Sequence, residues 1–292
     1  MTIDFNPDPD PDPKTDLRPS PIAGLWYSGQ SNQLSKEIDD YLARAHLPEL
    51  IGKVCGVIAP HAGYRYSGQT AGYAFRSVKG LHYDLVAVIS PLHAYHPAQI
   101  LTSSHTAYET PLGPVEIDNE AVDELDQYLR KAAGFGLTKV SRDNEHSLEI
   151  ELPFLQRALA GSFKLLPIMI RSQDTKIVQQ LGKGLAQVLR PRSALLVAST
   201  DLSHFYSEDA ARNYDTEMLQ KIEDFSPEDV LEAERNGTGF ACGAAAVAAV
   251  LWAAQELGGD KVKTLHYSTS ADETGDRHSV VGYGAAVILK PA

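Results

Sequence analysis

The sequence predicts an α/β fold: a mixed, largely parallel central sheet flanked by helices. Short Val/Ile/Ala-rich runs without polar alternation, at residues 54–60, 85–91 and 194–200, read as strands buried on both faces. Helix-length segments alternate with such runs along most of the 292 residues. Each run also ends in the same way, with a small residue or proline, a turn and a histidine: His61, His93 and, after Asp201, His204. Open α/β sheets bind ligands beyond the carboxyl ends of their strands. Three imidazoles delivered to one rim therefore predict a metal or acid–base site.

Taken in order, the chain starts with Pro-Asp repeats at residues 7–13, where proline blocks a helix and the acidic charges repel. Residues 1–21 are expected to be a disordered or extended lead-in, neither a signal peptide nor a spanning helix. No Pro/Ser/Gly-rich linker divides the rest, so residues 22–292 are expected to form a single domain with two related halves. Residues 28–31 read as a turn and 35–45 as an amphipathic helix with Ile38, Tyr41 and Leu42 on one face. The strand at 54–59 precedes a small-residue helix at 68–78 and a second strand at 83–90. Ser, Thr and Pro between 96 and 117 point to short strands and loops. Val122, Leu125 and Leu129 stripe a helix over 119–131, and 147–159 reads as another, with Asp143 or Asn144 as its N-cap. The remainder reads as strand 163–170, helix 176–189, strand 194–199, helices 210–225, 227–236 and 242–257, then strands 262–269 and 280–289.

A net charge of −12 leaves no basic surplus to neutralise phosphates, which argues against a general nucleic-acid or anionic-membrane binder. The longest apolar stretch, 239–254, is too short to span a bilayer. Cys55 and Cys242 form no C-x-x-C pair and no disulfide framework, consistent with a reducing cytosol. The chain has no phosphate-binding glycine loop, no convincing dinucleotide fingerprint and no G-x-S-x-G elbow.

His61 follows Pro60, which ends its strand, and precedes Gly63, which permits a tight turn; His93 repeats the strand–Pro–His layout. The plainer reading of either is a loop histidine satisfied by carbonyls. Asp201 and His204 share one face if the turn after their strand is helical, where the carboxylate can fix the imidazole tautomer. The plainer alternative is a capping aspartate beside an incidental histidine. Cys242 opens the alanine-rich helix, where the macrodipole favours a thiolate and hence a ligand or nucleophile; the alternative is a small buried apolar residue, the role assigned to Cys55. His146 and Glu149 lie one helical turn apart, as supporting pair, substrate contact or capping arrangement.

The segments 23–27 (AGLWY), 58–68 (IAPHAGYRYSG), 145–149 (EHSLE) and 199–204 (STDLSH) together resemble the Memo family, whose prokaryotic members are system protein B of the AmmeMemoRadiSam set. The resemblance runs from about Ala23 to the C-terminus, and Pro60-His61-Ala62-Gly63-Tyr64 is its most specific part. It implies a fold similar to class III extradiol dioxygenases, which are non-haem iron enzymes. The family's two histidines and cysteine fall on His61, His93 and Cys242, with Asp201 and His204 close by as the proton-handling pair and Tyr64, His146 and Glu149 as substrate or supporting residues. The ring-cleaving relatives use a carboxylate where this chain offers Cys242, and thiolate favours softer metal states.

What the resemblance implies is a metal-dependent redox enzyme of the cytoplasm, holding iron, with copper or zinc as options. It would act with O2 on a small or peptide-borne aromatic substrate. The alternatives are a metal- or peptide-binding protein without turnover, since Memo relatives have been associated with phosphotyrosine peptides, and a zinc-type hydrolase using Asp201 or His204 as base. The implied partners are a radical SAM protein and an AMMECR-type protein, with no nucleic acid and no membrane.

Overall fold

Four strands that are apolar along nearly their whole length need cover on both faces, and they find it by lying side by side at the centre of one sheet. These are β2 (Lys53–Ala59), β9 (Ala194–Ser199), β3 (Leu85–Pro91) and β8 (Lys164–Ile170), in that spatial order and all parallel. The computed structural model describes residues 16–291. Outside β2 the sheet continues antiparallel through β12 (Val280–Lys290), which also pairs with β11 (Lys261–Thr269) and, near its start, with β10 (His204–Tyr206). Outside β8 come β4 (Ile100–Ser103), antiparallel, and β7 (Thr138–Val140). A separate small sheet joins β1 (Leu17–Arg18), β5 (Ala107–Tyr108) and β6 (Val115–Glu116).

Helices α1 (Ser31–Arg44), α2 (Tyr64–Arg76) and α4 (Leu152–Ala158) pack together, with α2 against β2 and β12. A second group, α3 (Asn119–Ala133), α5 (Thr175–Leu189), α7 (Pro227–Asn236) and α8 (Ala244–Glu256), covers the strands through α8 on β9 and β3. The buried alanine face of α8 lets α5 come so close that a Cβ on Gly182 would lie 2.6 Å from Trp252 Cβ and 2.8 Å from the Ala249 carbonyl. Helices α6 (Glu208–Glu223) and α9 (Ala271–Thr274) complete the described residues, α6 packing on β12 and α9 on β11. The predicted mixed, largely parallel α/β sheet is what the chain forms. No helix among the described residues is long and apolar enough to cross a membrane.

Three local expectations are corrected. The expected helix over 147–159 is instead a 3-10 turn, Glu149–Glu151, leading into the short α4. Pro153 suits a helix's first turn, where its missing N–H costs nothing, and the Glu145 carboxylate holds the N–H groups of His146 and Ser147 in a turn of their own. Asp143 does not cap this segment; it pairs with Arg18. Residues 201–203 are not helical, and His204 begins an extended strand. Finally, the ordered domain starts before residue 22. Arg18 is 2% exposed, and its guanidinium reaches Asp143 at 2.5 Å and Glu149 at 2.7 Å while β1 pairs with β5. A buried, doubly paired arginine anchors this segment without the apolar residues on which the expectation rested. The Pro-Asp repeats lie outside the described residues.

Candidate metal centre

Because β2, β9 and β3 are parallel neighbours, their carboxyl ends deliver His61, Asp201 and His93 to one rim. Cys242 joins them from the turn that leads into α8, two residues before that helix, whose N-cap is Gly243. Ligand atoms of His61, His93 and Cys242 all lie within 4.8 Å of one another. His61 Nε2 is 3.1 Å from Cys242 Sγ, and the rings of His61 and His93 meet edge-on at 5.4 Å.

Each imidazole is held from behind. His61 is buried; its N–H donates to Asp201 Oδ1 at 2.8 Å and its Nδ1 lies 3.0 Å from Ser199 Oγ. His93 N–H donates to Glu145 Oε2 at 2.6 Å, and its Nδ1 lies 2.9 Å from Oε1 of the same carboxylate. Glu145 Oε1 also accepts the N–H groups of His146 and Ser147, each at 3.0 Å. Burial alone would raise the Glu145 pKa, but hydrogen bonds from His93 and from backbone N–H groups hold it well below the usual carboxylate range. That carboxylate raises the His93 pKa in turn. His93, Glu145 and His146 form a second histidine–carboxylate cluster, but the acceptor capacity of Glu145 is already taken by these N–H donors. Glu145 therefore orients His93 and is poorly placed to ligate.

Cys242 Sγ accepts the Asp201 N–H at 3.3 Å. Burial, with the Asp201 charge adding, pushes the thiol far up. A half-buried cysteine whose sulfur faces an imidazole nitrogen fits a soft-tolerant metal ion that would replace the thiol proton. Asp201 is pushed up to about 7 by burial, partly offset by the N–H groups of His61 and Ala62. Its Oδ2 lies 4.0 Å from His61 Nε2. The expected Asp201–His204 pair thus takes another form: the carboxylate bonds the His61 backbone, while His204 stands across the cleft on β10. Burial lowers the His204 pKa. Its loop is fixed by Asp215, which accepts Ser203 N–H at 2.8 Å and Tyr267 O–H at 2.7 Å. Residue 282 is glycine because a Cβ there would lie 1.9 Å from Asp215 Oδ2.

The centre opens into a cleft of about 740 Å³ whose walls include Trp26, Arg65, Tyr66, His146, Phe205 and Tyr283. His146 stacks on His93 at 4.8 Å and meets Trp26 at 4.2 Å with the rings tilted by 42°, and burial pushes its pKa down to about 4, leaving it neutral. Leu25 and Phe205 stand 80% and 75% exposed at the mouth. Of the other residues expected here, Tyr64 is buried with its O–H on the Ile150 carbonyl at 2.8 Å, and Glu149 is buried on Arg18, Ser20 and Tyr27. Neither lines the cleft; Tyr66 does. Sequence reasoning missed Glu145, Ser199, Glu151 and Trp26. Glu145 and Trp26 sit inside the quoted motifs, and Ser199 is the polar residue ending an apolar strand, whereas Glu151 carries no signal of its own.

Two imidazoles and a thiol converging at the carboxyl edge of a parallel sheet define an α/β protein with a candidate mononuclear metal centre. Compared with known families, the chain matches the one described as Memo-like protein over residues 18–287. It is 33% identical to a MEMO1 family protein of Nitrosopumilus maritimus, covering 92% of this chain and 98% of that protein. It is 31% identical to one of Aquifex aeolicus, covering 94% and 99%, and 30% identical to one of Methanosarcina acetivorans, covering 94% and 99%. The chain belongs to the Memo family.

Proposed function

We propose that this chain is a metal-dependent redox enzyme that holds iron through His61, His93 and Cys242, with copper or zinc as the other ions the donor set accepts. The observation that carries this reading is the convergence of the three donors within 4.8 Å, with His61 and His93 lining an open cleft. Two imidazoles and one anionic ligand leave coordination positions open, and iron so held supplies Lewis acidity and O2 activation. The chain's own residues do the rest. The aromatic wall of Trp26, His146 and His93, with the two imidazoles stacked, orients a flat substrate ring, on a small molecule or at the end of a peptide. His146 and His204, both kept neutral by burial, can accept a substrate hydroxyl proton, and Asp201, poised near neutrality, can hold one at Oδ2.

Resemblance to system protein B supports a place in the AmmeMemoRadiSam set, beside a radical SAM protein and an AMMECR-type protein, which co-purification would test. The catalytic reading is tested by metal analysis of anaerobically purified protein, then O2 uptake with catechol-type compounds. About one iron per chain and substrate-dependent uptake are expected. Iron-free protein, or loaded protein with no uptake across a broad aromatic panel, would overturn it.

A further inference from the structure

His61 and His93 face the centre alike, but their backing differs. His93 leans on an ionised, fully hydrogen-bonded carboxylate; His61 leans on the hydroxyl of Ser199. That hydroxyl has one proton and two lone pairs. It lies 2.5 Å from the Ser147 carbonyl, 2.6 Å from Glu151 Oε1 and 3.0 Å from His61 Nδ1. A carbonyl can only accept, so the hydroxyl proton belongs to the Ser147 bond. The other two partners must then donate: His61 through Nδ1–H, and Glu151 through a carboxyl O–H. The surroundings of Glu151 agree. It is 1% exposed, pairs with no cation among the described residues, and its Oε2 has no hydrogen-bond partner. An ionised group there would be an uncompensated buried charge. Burial, with the Asp201 charge adding, pushes the Glu151 pKa well above the usual range.

We propose that Glu151 is a neutral carboxylic acid that completes the hydrogen bonding of Ser199, and that the two together fix His61 as the Nδ1–H tautomer with its Nε2 lone pair turned to Cys242. Both are positioning residues, acting on the centre only through His61. The inference rests on the proposed metal reading for its consequence alone. Of the two imidazoles His93, backed by a charge, is the stronger donor, and His61, backed by neutral groups, the weaker.

The test uses the full-length chain, first without metal. The infrared difference spectrum of wild type minus Glu151→Gln at neutral pH should contain a protonated-carboxyl C=O band, and 15N NMR should place the His61 proton on Nδ1. Glu151→Gln, whose amide N–H donates to Ser199 in place of the acid, should keep that tautomer. Ser199→Ala, which removes the acceptor, should lose it. On reloading with zinc, Ser199→Ala should bind about 10–100-fold more weakly and Glu151→Gln nearly as tightly as wild type. A carboxylate band in place of the acid band, or a wild-type His61 protonated on Nε2, would overturn the proposal. If the spectra come out as expected and wild type binds no metal, the proposed function fails and this inference stands.

Discussion

Replacing Glu145 by glutamine keeps the shape of the side chain and removes its charge, and the structure lets the cost be worked out. The carboxylate takes His93 Nδ1, His146 N–H and Ser147 N–H on Oε1, and His93 N–H on Oε2. A glutamine carbonyl can stand in for one oxygen only, and the NH2 then meets an N–H donor head-on. One hydrogen bond to a charged group is lost and a buried donor is left unpaired, so the substitution should destabilise the fold by about 2–3 kcal/mol. The sign of its pH dependence follows from the pKa. The folded-state value of Glu145 lies below its unfolded value, so its contribution is fully present above about pH 4.3 and is lost as the pH falls toward the folded value. Urea unfolding of wild type and Glu145→Gln should therefore show a gap that is widest near neutrality and closes in strong acid. Metal affinity should fall about 10–100-fold, because His93 loses both its orientation and the carboxylate that strengthens it as a donor. A gap independent of pH, or unchanged affinity, would show that the Glu145 charge does not support His93.

Other substitutions follow the same logic. Cys242→Ser should lower metal occupancy sharply with the fold intact, since Ser is nearly isosteric but a poor soft ligand, whereas Cys55→Ser, inside β2, should leave occupancy alone; elemental analysis of the two variants decides it. Arg18→Ala strands Asp143 and Glu149 in the interior and should cost about 3–5 kcal/mol by denaturant titration. Phe205 holds a left-handed backbone at φ 64° with its ring exposed at the cleft mouth. Phe205→Gly should accordingly raise stability by about 1 kcal/mol while weakening binding of aromatic ligands, read by thermal unfolding and by titration.

The strand–turn–histidine repeats made the rim legible, because period and punctuation are local properties and parallel strands must end on the same side. The structure brings His61, His93 and Cys242 together. What the sequence could not display was direction. Tyr64 and Tyr66 sit two apart in one motif, yet only Tyr66 lines the cleft, because α2 starts at Tyr64 and turns that ring into the core. Helical spacing offers Glu149 to His146 as a supporting partner, a shared substrate contact or a cap, but the segment opens as a 3-10 turn, and Glu149 points to Arg18, 131 residues away. Glu145, one residue before His146, is the acid that backs an imidazole nitrogen, that of His93. Long-range partners such as Arg18–Glu149 and Ser199–Glu151 are set by tertiary packing and leave no local periodicity.

A metal held by His61, His93 and Cys242 would carry a bound thiolate. Cobalt(II) substitution, followed by optical absorption, reports on that ligand itself, because a bound thiolate gives a sulfur-to-metal charge-transfer band. Wild type should take up about one cobalt per chain and show that band, with Cys242→Ser losing it and Cys55→Ser keeping it. Stoichiometric cobalt without a thiolate band in wild type, or a band that survives Cys242→Ser, would contradict the claim.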